Sequence, residues 1–394
     1  MEPIHFANLI APLTVEDFFA NYWEKKYVHN RHDDPGYFNN VLSIADIDTF
    51  LSQQNLMPEG LRLLHKGKDV PPYEWTKSET LMNGTARVSA SPEKMLKWFY
   101  DGSTIIINSA EKGIPGLAAA CRAFEQEMKI VVQANIYITP PHSQGFHIHY
   151  DPHDIFLMQI KGPKTWHIYD TGEELPTTFH PFRKKPELVA EFDINSGDFL
   201  YLARGTSHQA FTSDHSTIHV NFSLKPRYGF HLIEDLVKIA EHEDVFFRRT
   251  IPTGLASEEE KKQYTDAFKQ KLHSLVDKIS PKRLLDKQSE HFATRQTLDF
   301  GRLLITGLQT ELLRADTVVA RKQGFDYVIK TAGNDTNIHF GTQRLTIPPF
   351  VDKAIFLQDQ PFKIKDVKGL LTAEGKVAIV KELIAGGWLE IREI

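Results

Sequence analysis

The stretch from about Thr104 to Pro226 constrains the fold most. It contains the runs TIIINSA, MKIVVQANIYITP, DIFLMQI, KTWHIYD, GDFLYLA and STIHVNFSL. Each is short, rich in β-branched and aromatic residues, and bounded by Gly, Pro, Asp or Ser, which is the punctuation of strands. From NIYITP to NFSL no helical pattern separates the strands. A parallel sheet with crossover helices is therefore disfavoured, and an antiparallel barrel or sandwich is expected.

The flanks differ in texture. LTVEDFFANYWEKKYVHN reads as an amphipathic helix capped by Thr14, with Asp17 three residues on; Phe18, Phe19, Tyr22, Trp23 and Tyr27 recur at helical spacing as a core stripe. From about Phe230 to Asp299 the chain is charged and helical. Ser257 and Glu260 form a capping-box signature, and Tyr264, Phe268, Leu272, Leu275 and Ile279 share one helix face. Ser280-Pro281 stops that helix, and Pro281 suits the first turn of the next. Such helices pack on one another or pair between chains. In the tail from about Gly301, Leu345 and Ile347 suggest a strand. PPFVDKAIFL and TAEGKVAIVKELIAGG suggest short helices, the second capped by Thr372 and ended by Gly386-Gly387, and WLEI closes as a strand. This order suggests a small winged-helix-like module. From Arg344 onward 8 Lys+Arg face 7 Asp+Glu, so the tail lacks the basic excess of a DNA reader and a structural or docking role is expected.

Composition narrows the setting. A chain of 394 residues is long enough for two or three domains. Its net charge of -5 argues against broad nucleic-acid binding. One cysteine, Cys121, rules out an intrachain disulfide and fits a reducing, cytoplasmic compartment. The opening MEPIHFANLIAPL lacks the basic and apolar regions of a signal peptide, and no apolar run is long enough to span a bilayer, so no membrane partner is expected.

The stretch GFHIHYDPHDIF, Gly145 to Phe156, concentrates metal-ligand and acid/base types. A strand sends residues i and i+2 to one face, so His147, His149 and Asp151 would share a face. His149-Tyr150-Asp151 is an H-x-D pair, weak as a signal by itself. Downstream, SGDFLYLARGTSHQAF gives a turn, a strand, a second break and then His208. Two His and one carboxylate on one face are the facial triad of non-haem Fe(II) oxygenases, which leaves three octahedral positions open. Zinc is the alternative metal, although catalytic zinc sites more often use His₃, His₂Glu or Cys sets. His153 reads as exposed, Phe156 and Trp166 as core, and His167, His215 and His219 as structural.

NIYITPPHSQGFHIHYDPHDIFLMQIKGPKTWHIY followed by GDFLYLARGTSH closely resembles the JmjC-type cupins of the ribosomal-oxygenase group, including Asp154, Phe156, Gln159, Gly162, Lys164 and Trp166 of their longer motif. The resemblance spans nearly the whole chain. It implies a mainly β catalytic core, a double-stranded β-helix or cupin jelly roll, over residues 1–228 with N-terminal helices. It implies a helical dimerisation region over 229–300, hence a homodimer, and a winged-helix-like α+β module over 301–394. By matching positions, His149, Asp151 and His208 would hold Fe(II). Lys164 would take the distal carboxylate of the co-substrate 2-oxoglutarate, with Tyr137 and Asn135 around it and Asn221 and Ser223 further candidates. O₂ would take the last metal site. The implied reaction is hydroxylation of a protein or peptide side chain, by analogy a ribosomal-protein Arg or His. A tailoring hydroxylase of a ribosomally made peptide, a catalytically silent cupin scaffold and a zinc hydrolase stay open beside it. Asp154 is a supporting or a turn residue. Relatives carry proline after GDxLY where this chain has Leu202-Ala203-Arg204-Gly205, so Arg204 could face an acidic group near the mouth.

Overall fold

The computed structural model describes residues 4–53, 56–277, 281–299, 301 and 303–393. The chain divides into two compact units, Met1–Lys225 with Thr297–Asp299, and Pro226–Gln296 with Phe300–Ile394.

The first unit is built on antiparallel strands: β1 Val28–Asn30, β2 Leu61–His65, β3 Lys68–Asp69, β4 Thr76–Thr80, β5 Ala86–Ala90, β6 Thr104–Ile107, β7 Val131–Thr139, β8 Ile155–Lys161, β9 Lys164–Asp170, β10 Glu187–Ile194, β11 Phe199–Leu202, β12 Ser207–Phe211 and β13 Thr217–Lys225. Eight form one sheet in the order β1-β11-β8-β13-β7-β6-β2-β3, and β10-β9-β12 form a second. This is the two-sheet jelly roll of a cupin, the chain passing between the sheets after β8, β10, β11 and β12.

Alternation explains why β8 is apolar on both faces. Ile155 and Leu157 join Trp166, Ile168, Ile194, Leu200 and Leu202 in a core made by β8, β11, β9 and β10. Phe156 and Met158 point the other way, into a larger core with Phe6, Phe18, Phe124, Phe222 and Tyr201. A strand covered on both faces loses the polar half of its pattern. Phe124 comes from a helix over Pro115–Met128 that strand-like texture hid; it packs beside β7 and supplies part of the larger core. The sequence also gave no sign of β10, whose outer residues are mostly exposed.

The expected N-terminal helix is shorter than its aromatic stripe. It covers Val15–Asn21, with Thr14 Oγ1 accepting from the Asp17 amide at 3.1 Å. The chain then turns, and Val28–Asn30 pairs with β11. Trp23 still reaches the core and stacks on Tyr201 with ring centroids 6.2 Å apart. The aromatic spacing thus reports burial from two different backbone conformations.

In the second unit, helices cover Gly229–Glu243, Glu258–Asp277, Pro281–Ala293 and Leu303–Gln309. The Ser257–Glu260 capping box forms. Tyr264 and Phe268 meet Phe246 and Phe247, Leu275 is buried, and Leu272 stays exposed. Ile279 and Ser280 lie outside the described residues. The tail carries β14 Val318–Arg321, β15 Val328–Ala332, β16 Asp335–Phe340, β17 Gln343–Ile347, β18 Phe362–Lys363 and β19 Leu389–Glu393. These make two three-stranded sheets, β18-β14-β19 and β15-β16-β17. The helices at Ala354–Leu357 and Ala373–Ala385 lie in the two expected segments, the second capped by Thr372. Among the described residues no helix is long and apolar enough to cross a membrane.

Candidate metal centre

His149 and His208 are brought together by backbone pairing. The His149 amide donates to the His208 carbonyl at 3.1 Å, and the His208 amide donates to the His149 carbonyl at 2.7 Å. A mutually bonded antiparallel pair places its side chains side by side; the ring centroids are 4.4 Å apart. Asp151 Oδ2 lies 3.8 Å from His208 Nε2. One donor atom from each of His149, Asp151 and His208 lies within 4.8 Å of the others. The H-x-D pair is not on a regular strand, as its spacing suggested. It sits in an irregular segment held by isolated bridges at Gln144–Phe211 and His149–His208.

The ring nitrogens are already sorted. His149 Nδ1 lies 2.8 Å from the His147 carbonyl and His208 Nδ1 lies 2.9 Å from the Thr206 carbonyl. A carbonyl only accepts, so each Nδ1 carries a proton, which leaves Nε2 as the nitrogen able to bind a metal. Metal-bound histidines show this arrangement, the outer nitrogen fixed by a carbonyl or carboxylate. Burial, with His149 acting in the same direction, pushes His208 down to about 4, so its ring is neutral at physiological pH.

The three donors line a cavity of about 520 Å³ in the first unit. Lys164, Tyr137, Asn135, Asn221 and Ser223 line the same cavity, so all eight residues singled out in the sequence converge there. The register explains it. β7 and β13 pair Asn135 with Asn221 and Tyr137 with His219, and alternation turns both sets to one side. Lys164 opens β9 after a turn at Gly162. That glycine has φ +69°, and a Cβ there would lie 2.5 Å from the Ser216 carbonyl oxygen. Gln159 Nε2 donates to the Gly162 carbonyl at 2.8 Å, so the Gln159–Gly162–Lys164 part of the motif is a turn-holding device.

Lys164 is 5 % exposed, and its Nζ has one described hydrogen bond, 3.3 Å to Thr139 Oγ1. Burial pushes its pKa down to about 7. Among the described residues no carboxylate pairs with it. A buried ammonium without a counter-charge is costly, and a ligand carboxylate removes the cost. Asn221 Oδ1, His219 Nδ1 and Trp166 Nε1 are likewise buried without hydrogen-bond partners among the described residues. The cavity therefore presents three metal donors, one uncompensated cation and several unsatisfied polar atoms. That set fits a divalent ion with a dicarboxylate.

Several residues read differently in the structure. His219 is in the cavity, its ring stacked on Tyr137 at 4.8 Å and 3°. Extending the Asn221/Ser223 alternation back two residues would have found it. His153 is not exposed; it is half-buried, lines the cavity, and burial lowers its pKa. Trp166 is core but also lines the cavity, while His147 is exposed. Asp154 is buried outside the cavity, accepting from Tyr201 Oη at 2.5 Å and from the Arg204 amide at 3.3 Å. Arg204 faces an acid but not at the mouth: it pairs with Glu24 at 2.9 Å. The Leu202-Ala203-Arg204-Gly205 loop therefore ties into a network with Asp154, Tyr201 and Glu24 and adds no charge to the cavity.

A family model for the JmjC domain matches residues 117–231. This segment is a JmjC domain. Relatives include the bifunctional lysine-specific demethylase and histidyl-hydroxylase NO66 of Aedes aegypti, 32% identical over 311 residues, covering 74% of this chain and 47% of that protein. NO66 of Drosophila erecta is 32% identical over 256 residues, 62% of this chain and 38% of the relative. The chain thus spans half or less of the length of these curated relatives. Among solved structures, Escherichia coli ycfD matches with a TM-score of 0.53 at 16% identity, over 96% of this chain and 98% of that one. A second structure, described as the E. coli ribosomal oxygenase YcfD in complex with cobalt and 2-oxoglutarate, matches with a TM-score of 0.52 at 14% identity, over 97% and 99%. At these identities the likeness establishes the fold, and it extends beyond the JmjC segment.

Proposed function

We propose that this chain is an Fe(II)- and 2-oxoglutarate-dependent oxygenase that hydroxylates a side chain of a protein. The observation that carries the reading is one cavity holding three donors with free Nε2 or carboxylate atoms and, deeper in the strands, the uncompensated cation Lys164. When bound, iron, 2-oxoglutarate and oxygen supply the oxidising chemistry. His149, Asp151 and His208 would hold the metal on one side and leave the other open. Lys164 and Thr139, with Tyr137 nearby, would fix the far carboxylate. Asn221, Ser223 and Asn135 would shape the space between. The chain's own share is positioning and exclusion of water. The relatives' descriptions as a histidyl-hydroxylase and a ribosomal oxygenase support a protein substrate.

The lining also favours one side-chain class. Asp151 is the only carboxylate among the cavity's lining residues, whereas Arg62, Lys164 and Lys225 are cations and Asn108, Gln133, Asn135 and Asn221 are neutral amides. A guanidinium would enter against like charge with no free counter-ion. An uncharged imidazole can hydrogen-bond to amides. Mass spectrometry of proteins from cells with and without the gene should show one-oxygen shifts on His that disappear with the gene. Shifts confined to Arg would overturn this choice.

The same proposal includes a homodimer through residues 229–300 and a winged-helix-like module over 301–394. Phe230, Ile233, Val237 and Val276 are exposed apolar side chains on two of the helices, an apolar surface that a second copy would cover, and this supports the dimer. Light scattering of the purified chain should give twice the monomer mass; a strict monomer contradicts it. The single cysteine supports a cytoplasmic setting.

A further inference from the structure

Tyr150, the residue between the two H-x-D donors, does not join them in the cavity lining. It is 2 % exposed, and its hydroxyl reaches the loop joining β9 to β10. Tyr150 Oη accepts from the His180 amide at 2.6 Å and donates to the His180 carbonyl at 3.1 Å, with the Thr178 carbonyl 3.4 Å away. The foot of the loop is tied elsewhere: the Arg183 amide donates to Glu173 at 3.1 Å, the Lys184 amide donates to the Thr171 carbonyl at 3.3 Å, and Pro176 lies against Gly205. The apex, residues 177–182, has no described hydrogen-bond partner except Tyr150. Phe179 sits in this apex. Its ring is 6.0 Å from Tyr150, and it lines the cavity although it is 65% exposed. Phe179 is thus an exposed aromatic whose described contacts are the Tyr150 ring and the cavity it lines.

We propose that Tyr150 is a positioning residue that straps the loop apex down, and that Phe179 is thereby set as a substrate-contacting wall at the mouth. The inference rests on the oxygenase reading given above. Its physical basis is local. The paired amides and carbonyls of His149 and His208 fix the backbone that carries Tyr150, so the backbone that shapes the metal site also fixes the tether. Removing the hydroxyl would leave the His180 amide unpartnered and free the apex, while the Tyr150 ring could stay packed.

Two measurements decide it. The first needs no substrate: trypsin cleavage after Arg183 and Lys184 in the intact native chain. Tyr150→Phe should be cut at least about tenfold faster than wild type, because the hydroxyl's bonds to both the His180 amide and carbonyl are lost, whereas Phe179→Ala should be cut at the wild-type rate. Equal cleavage of Tyr150→Phe and wild type overturns the tether. The second uses a pool of synthetic peptides with one central histidine and randomised flanks, read by one-oxygen mass shift. Tyr150→Phe should raise KM for the pool about tenfold with kcat within about twofold, and Phe179→Ala should raise KM comparably. Wild-type KM in either variant, or a fall confined to kcat, overturns the substrate-contact role. A wild-type protein releasing no succinate from 2-oxoglutarate would sink the oxygenase reading instead, and the cleavage comparison would still judge the tether.

Discussion

Replacing Lys164 with Met should raise KM for 2-oxoglutarate at least about 100-fold and, in the same protein, make the ligand-free fold more stable. Both effects come from one buried ammonium. In the bound state it would make a charge-assisted contact in a water-poor cavity, and removing one partner of such a pair costs several kcal/mol. In the ligand-free state burial holds its pKa near 7 against an ordinary value of 10.5. Between those values the unfolded chain binds a proton that the folded chain does not. Stability of the ligand-free protein therefore rises with pH across this window, and below about 7 the whole cost of charging the buried amine is present. Lys164→Met removes the cost. Its stability gain should be of the order of a few kcal/mol at pH 6 and should fade toward pH 10. Affinity for 2-oxoglutarate should itself weaken as pH rises above about 7, because a neutral amine offers a carboxylate no charge. Denaturant titrations at several pH values check the first claim, and steady-state kinetics check the second. An unchanged KM in Lys164→Met would place the carboxylate elsewhere.

Asp151→Ala should abolish metal binding for practical purposes. Asp151 supplies the only negative donor of the three, and without it two neutral imidazoles face the ion. Loss of groups that merely orient a ligand costs about 10- to 100-fold in metal affinity, so loss of the anionic ligand itself should exceed about 100-fold. Calorimetric titration with Mn(II) reads this directly. The fold should survive, because Asp151 is part-exposed and has no described structural role beyond accepting from the Gly205 amide through its backbone carbonyl.

The strands β7, β8, β9, β11 and β13 are legible in the sequence because β-branched and aromatic runs bounded by turn residues mark them, even where burial on both faces removes the alternation, as in β8. The site is legible for a different reason. The match of His149, Asp151, Lys164 and His208 to one motif fixes which polar residues must meet, and β7–β13 alternation then gathers Asn135, Tyr137, Asn221 and Ser223. What was not legible depended on tertiary context. Lys164 follows a Gly-Pro turn and would be solvated by default; only the covering strands make it buried. His153 follows Pro152 in what reads as a surface turn, and the cavity wall closes over it. His219 reads as structural in isolation, although its two-residue alternation with Asn221 and Ser223 puts it on the cavity side, where strand register stacks it on Tyr137. The H-x-D segment is irregular, so strand periodicity gave the right shared side for His149 and Asp151 from the wrong local geometry. Backbone pairing of His149 with His208, across 59 residues, does the work there and cannot be read from local pattern.

Succinate release from 2-oxoglutarate by the purified chain, with and without Fe(II) and oxygen and in parallel with Asp151→Ala, tests the central claim most directly. Succinate should form only when iron and oxygen are both present, and none should form with Asp151→Ala. Succinate formed equally by Asp151→Ala, or a wild-type chain inert with iron, oxygen and 2-oxoglutarate together, would contradict it.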